Sequence, residues 1–214
     1  MHRVTDEVPA AVAAFAHPLA AGFTWAVEHP NLQPGDNLMI LGPGPRGLAA
    51  LVAAKTAGAG WVGMSGLPED KARLEVARQL GADMVVDTEL YDVAAEAGNS
   101  LGSRPDVVLD DPEAIQVALD LVRAGGQVAI ASTKGPNAVN QLFTDIILLK
   151  ELTIRGGFGA NSTGYHWATR QLGSDSRLDL LVSHEFPLTE SARAVQAAGG
   201  LLGREDLISV AVTI

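Results

Sequence analysis

Six consecutive residues, Gly42-Pro43-Gly44-Pro45-Arg46-Gly47, carry the spacing G-x-G-x-x-G and specify the most definite chemistry in this sequence. In a strand-to-helix turn, Gly42 allows the tight bend, Gly44 lets backbone approach a pyrophosphate, and Gly47 lets the helix pack closely on the sheet. The helix that follows offers unpaired N–H groups and the positive end of its dipole to the phosphates. Pro45 and Arg46 complete the loop, and the Arg46 guanidinium either pairs with the pyrophosphate or points to water. The pattern predicts a bound dinucleotide.

The choice of coenzyme turns on the end of the second strand. NAD-binding versions of this loop carry an acidic residue about 20 residues past the third glycine, where it holds the ribose diol. Counting from Gly47, that place falls at Ser65-Gly66, and neither residue is charged. With no carboxylate there, and with Lys71 and Arg73 a short way into the next helix, NADP(H) is slightly favoured over NAD(H). The same two cations also read as ordinary solvent-facing helix charges. Asp110 and Asp111 look like paired catalytic carboxylates, but a helix N-cap before Pro112 explains them more simply. The absence of cysteine excludes disulfides, thiolate zinc sites and a cysteine nucleophile. His2, His29, His166 and His184 lack mutual metal-ligand spacing and are assigned no metal.

Such a loop must be positioned by alternating strands and helices. Strands are expected at Asn37 to Leu41, Gly60 to Ser65, Met84 to Asp87, Val107 to Asp110, Gln127 to Ala131 and Leu152 to Arg155. Helical periodicity runs through Gly47 to Ala57, Glu69 to Leu80, Pro112 to Arg123 and Val139 to Lys150, with Gly58 and Gly81 placed to cap the first two. The stretch from Leu90 to Ser103 is polar and poorly periodic, and its helix content stays open. An Ala-rich helical stretch, Ala10 to Glu28, precedes the first strand, and Gln33-Pro34-Gly35-Asp36 turns into it. A helix near Glu190 to Ala198 and a strand from Leu207 to Ile214 follow a polar region reaching about Arg177.

The fold expected is α/β: a Rossmann doubly wound, six-stranded parallel sheet with flanking helices, plus partial remnants of a second domain at both ends. Residues 1–30 form a helical lead-in, 31–159 the dinucleotide-binding domain, and 160–214 a C-terminal segment that would complete a second domain. The 214 residues, 47% hydrophobic and 5% aromatic, suit a soluble α/β chain. A net charge of −10 opposes binding to a phosphate backbone, so nucleic acid is not an expected partner. No run of about 18 apolar residues and no leader pattern is found, so no membrane partner is expected and the location expected is cytoplasmic.

Several stretches resemble the zinc-type medium-chain dehydrogenases, the alcohol and polyol dehydrogenase superfamily. These are Pro34 through Leu48, Arg73 through Asp83, Lys150 through Gly156 and His184 through Leu188, in the family's order. The resemblance implies hydride transfer between an alcohol or carbonyl and NADP or NAD, after a GroES-like catalytic domain that this sequence does not contain. It also implies that zinc belongs only to a full-length parent, so that the chain alone is inactive and none of its residues is assigned as catalytic. Ala16-His17-Pro18-Leu19 resembles a helix start where relatives carry a Glu or Cys at or near the zinc, and His17 is either a metal neighbour or a packed helix residue. By position, Ser132 and Thr133 after the fifth strand would face the nicotinamide carboxamide, or form a polar turn. Phe158 after the sixth would close over the ring, or be a core aromatic.

The resemblance further implies a homodimer through the sixth strand, Leu152 to Arg155, with the segment from Asn161 to Arg177 as the competing cover for that edge. Alternative functions are a stand-alone, non-catalytic dinucleotide-binding or redox-sensing protein and a zinc-free quinone reductase relative. A methyltransferase ranks last, for want of a terminal antiparallel hairpin.

Overall fold

The computed structural model describes all residues except 1, 111–114, 134, 136–138, 140 and 204–205. Six short apolar runs become parallel strands: β1 (Asn37–Leu41), β2 (Trp61–Gly66), β3 (Met84–Asp87), β4 (Val107–Asp110), β5 (Gln127–Ile130) and β6 (Thr153–Gly156). They lie in the order β3-β2-β1-β4-β5-β6, so the winding direction reverses between β1 and β4. Both faces are covered. Leu38 and Ile40 point into one core and Met39 and Leu41 into the other, as strand alternation requires.

Helices α1 (Ala10–Ala13), α2 (Ala16–Phe23), α3 (Pro45–Thr56) and α4 (Lys71–Gln79) precede α5 (Val93–Leu101), α6 (Ile115–Leu121) and α7 (Asp145–Leu149). Then come α8 (Ser162–Leu172), β7 (His184–Pro187), α9 (Ser191–Ala198) and β8 (Val210–Thr213). Leu19, Leu48, Leu51 and Leu178 are fully buried in the first core, each burial contributing about 2 kcal/mol. α2 continues as a π-helical turn, Thr24–Glu28. The whole run Ala10–Glu28 is 19 residues long and holds an 18-residue window with a mean hydropathy of 1.4. Contrary to the sequence expectation, it is long and apolar enough to cross a membrane, yet Leu19, Ala20, Ala21, Trp25 and Ala26 are buried in the protein core.

Other expectations shift. The open stretch after Leu90 contains α5, whose N-cap Asp92 accepts from Ala94 and Ala95 N–H. Of the helix expected over Val139 to Lys150, the described residues form α7 and irregular backbone at 141–143, where Phe143 is largely exposed and buries no helix face. The polar region after Gly159 holds α8, capped by Asn161. β8 is shorter than expected and pairs in parallel with β7 as a separate two-stranded sheet. α8 lies against α2, where a Cβ on Gly164 would stand 2.5 Å from the Ala20 carbonyl oxygen, so it does not cover the edge of β6.

Candidate functional site

β1 ends at Leu41 and hands the chain to Gly42, whose φ of 109° lies where side chains are strained. Its N–H donates to the Ser65 carbonyl at 3.0 Å, tying the turn to β2. A Cβ on Gly47 would stand 2.1 Å from the Gly42 oxygen, so α3 docks only because that position lacks one. Gly44 differs. Its backbone is extended (φ −62°, ψ 170°) and a Cβ there would meet nothing within 4 Å, leaving its front open.

Pro45 occupies the first helical position, where a missing N–H costs nothing. The Leu48 N–H donates to Gly44 O at 2.9 Å, and the first-turn N–H groups of Arg46 and Gly47 meet no side-chain cap. Two donors and a helix dipole are thus left for an anion.

Two clefts meet at this loop. One of about 900 Å³ runs from Gly42 and Gly44 past Ser65, Gly66, Asp70 and Arg73 to Thr88 and Thr133. The other, of about 420 Å³, is lined by Gly42, Gly44, Pro45, Arg46 and Gly47 with His17, Trp25 and Ser132. The residues expected to bind a coenzyme thus converge, with Ser132 and Thr133 in different clefts. Two do not. Lys71 is exposed and lines neither cleft, and Phe158 is 96% exposed. The Asp110-Asp111 carboxylate pair lies outside the described residues.

Two residues of the walls, Asp70 and Trp25, and one neighbour of a wall residue, Tyr165, were not singled out in the sequence. Asp70, in the turn Pro68–Asp70 beyond β2, accepts from Leu67 N–H at 3.2 Å and from Arg73 Nη1 at 3.0 Å. Arg73 Nε is already committed to the Leu207 carbonyl at 2.9 Å. Trp25 carries the Arg46 guanidinium 5.5 Å from its ring centroid and donates from Nε1 to Gly159 O at 2.9 Å. Beside it, burial and the charge of Arg155 lower the pKa of His29 against an opposing Glu28. Tyr165 meets His17, with 2.8 Å between its Oη and the imidazole Nδ1. The Asp70–Arg73 pair had an i,i+3 signal; Trp25 and Tyr165 had none at the level of spacing.

The glycine cradle and the two free donors fit a dinucleotide. A zinc ion is not fitted: among the described residues no three His, Cys, Asp or Glu side chains gather.

The Zinc-binding dehydrogenase family model matches residues 45–173. A probable alcohol dehydrogenase of Mycobacterium tuberculosis is 39% identical over 213 residues, covering 97% of this chain and 55% of its own length. The chain therefore spans about half the length of the curated relatives it matches. The crystal structure of 2R,3R-butanediol dehydrogenase from Bacillus subtilis superposes with a TM-score of 0.82 at 25% identity, over 99% of this chain and 60% of that one. An E. coli CFT073 alcohol dehydrogenase complexed with NADH gives 0.84 at 19% identity, over 99% and 62%. The doubly wound sheet, the glycine loop and these matches together place the chain in the zinc-binding, medium-chain alcohol dehydrogenase family, of which it forms the dinucleotide-binding part.

Proposed function

We propose that this chain binds NAD(H) across the crevice between β1 and β4, as the coenzyme half of an oxidoreductase that interconverts an alcohol and a carbonyl. One observation carries the reading: the two clefts meet at Gly42 and Gly44, at the carboxyl end of β1, where the strand order reverses. Open α/β sheets bind ligands at that place. The loop and the first turn of α3 hold the pyrophosphate, the Asp70 cleft the adenosine, and the His17 cleft the nicotinamide. Bound there, the nicotinamide supplies a hydride acceptor.

NAD(H) is preferred over NADP(H) because a 2′-phosphate at the end of β2 would meet the Asp70 carboxylate, while a ribose diol can donate to it. Arg73 does not offset this freely, since Asp70 and Leu207 already hold it. The expectation of NADP(H) rested on Lys71 and Arg73, of which one lies outside the cleft and the other is paired. Among the described residues no metal-ligand cluster forms, and on this reading alcohol turnover requires the catalytic domain that the family resemblance implies. The same reading makes the chain a homodimer through β6.

Calorimetry with NADH and NADPH tests the coenzyme reading. NADH should bind the folded chain more tightly, with no steady alcohol turnover when zinc is added. Gly44→Val places a side chain in open space, so melting should be unchanged, while NADH affinity drops at least tenfold, ~1.4 kcal/mol. Unaltered binding by Gly44→Val would remove the loop from the site.

A further inference from the structure

Arg46 is the unusual member of the glycine loop, a permanent cation in the turn that meets the coenzyme. It lines the cleft that also holds His17 and Ser132, not the cleft of Asp70. Its guanidinium lies over Trp25, and Trp25 is itself fixed: it is 4% exposed, bonded to Gly159 O, and so close to Gly157 that a Cβ there would stand 2.7 Å from its ring. The charge is therefore held at the wall of the cleft. Among the described residues no Asp or Glu lines that cleft, and His17 is the one other ionisable side chain in it.

We propose that Arg46 makes the site select the reduced coenzyme over the oxidised one. The inference rests on the assignment of the nicotinamide to this cleft. An oxidised nicotinamide ring is cationic and a reduced one neutral, so the two forms differ by one unit charge placed near a fixed guanidinium. Between unit charges several ångströms apart at a protein surface, such repulsion is worth roughly tenfold in binding. The bound couple is then raised by about 30 mV for two electrons. The adenosine and pyrophosphate halves are identical in both forms, so they contribute nothing to the difference.

The test is a titration of NADH, NAD⁺ and ADP-ribose, followed by tryptophan fluorescence and calorimetry, against the wild-type chain, Arg46→Met and Arg46→Lys. The wild type should bind NADH about tenfold tighter than NAD⁺. Arg46→Met, which keeps the apolar stem, should bring the two within about threefold, chiefly by tightening NAD⁺, and Arg46→Lys should restore the gap. ADP-ribose, which lacks the nicotinamide, should bind all three proteins alike. Equal losses of NADH, NAD⁺ and ADP-ribose in Arg46→Met would make Arg46 a pyrophosphate ligand and overturn the inference. So would an NADH to NAD⁺ ratio that the variant leaves unchanged. If ADP-ribose fails to bind the folded wild type, the coenzyme assignment falls, and the inference with it.

Discussion

Asp70 shows how a single residue can escape a count along the chain. A strict step of about 20 residues from Gly47 ends on Ser65 and Gly66, and both do line the cleft, but neither carries charge. The turn Pro68–Asp70 then folds the chain back, so that a Cβ on Gly66 would lie 3.2 Å from Cβ of Asp70. A carboxylate thus returns to the strand end from a later position. With side-chain exposures of 15% for Asp70 and 21% for Arg73, their ion pair is largely withdrawn from water. Asp70→Ala should release Arg73 toward a 2′-phosphate and remove the acceptor for the ribose diol. The NADH to NADPH affinity ratio should then fall by about tenfold or more, the worth of one hydrogen bond to a charged group. Calorimetry on the variant, with melting as a check on folding, decides the matter. A wild type that prefers NADPH, or a ratio that Asp70→Ala does not move, contradicts the assignment of Asp70.

Among the elements, the start of β1 depends on a carboxylate from the neighbouring strand's approach. Asp106, just before β4, accepts from the Asn37 backbone N–H at 2.8 Å, from Asn37 Nδ2 at 3.1 Å and from Arg123 Nε at 2.6 Å. Burial pushes its pKa up, but the bonds and charge of Arg123 and the donors of Asn37 win, and the carboxyl titrates below its usual 3.8. A depressed folded pKa means stabilisation that is complete above the unfolded value and lost as pH falls through the folded one. Asp106→Asn should cost about 1 to 2 kcal/mol near neutrality. The difference in melting temperature from wild type should shrink as pH drops below about 3.8, where both forms are uncharged in the unfolded chain. A difference that persists unchanged in acid would assign the loss to packing instead. At this scale much was legible, because short continuous apolar runs and left-handed glycines are local signals. Asn37–Leu41, Met84–Asp87 and Val107–Asp110 fall where their residues place them, and Gly58 and Gly81 take positive φ after α3 and α4. The parallel pairing of β7 with β8 was not legible, since His184↔Val210 joins residues 26 apart whose partner choice is a tertiary event. Nor was the short α7, whose Leu148 and Leu149 look like a buried helix face but are exposed.

For the whole molecule, that exposure leads to assembly. Phe143, Leu148 and Leu149 are 78%, 76% and 80% exposed, and they lie just before β6, with exposed Phe158 just after it. Exposed apolar side chains flanking an open strand in sequence point to an interface, and α8, the candidate cover from this chain, packs on α2 instead. Phe158, 96% exposed and outside the lining of both clefts, stands free to join such a seam. Two copies related by a two-fold axis would pair β6 with β6 and extend the six-stranded sheet. The donor that matters follows from the register. Thr153 N–H donates inward to Gly126 O at 3.1 Å and Gly157 N–H to Ile130 O at 2.7 Å, so the alternating residues Ile154 and Gly156 present their N–H groups to the open edge. Proline at Thr153 would therefore break a bond within the sheet and test the wrong side. Gly156→Pro removes an outward donor, loses no side chain and meets open space at its Cβ. Sedimentation or light scattering at tens of micromolar should find the wild type dimeric and Gly156→Pro monomeric, with NADH binding retained because the clefts lie across the sheet at β1. A monomeric wild type, or a Gly156→Pro chain that stays dimeric, would move the interface away from β6.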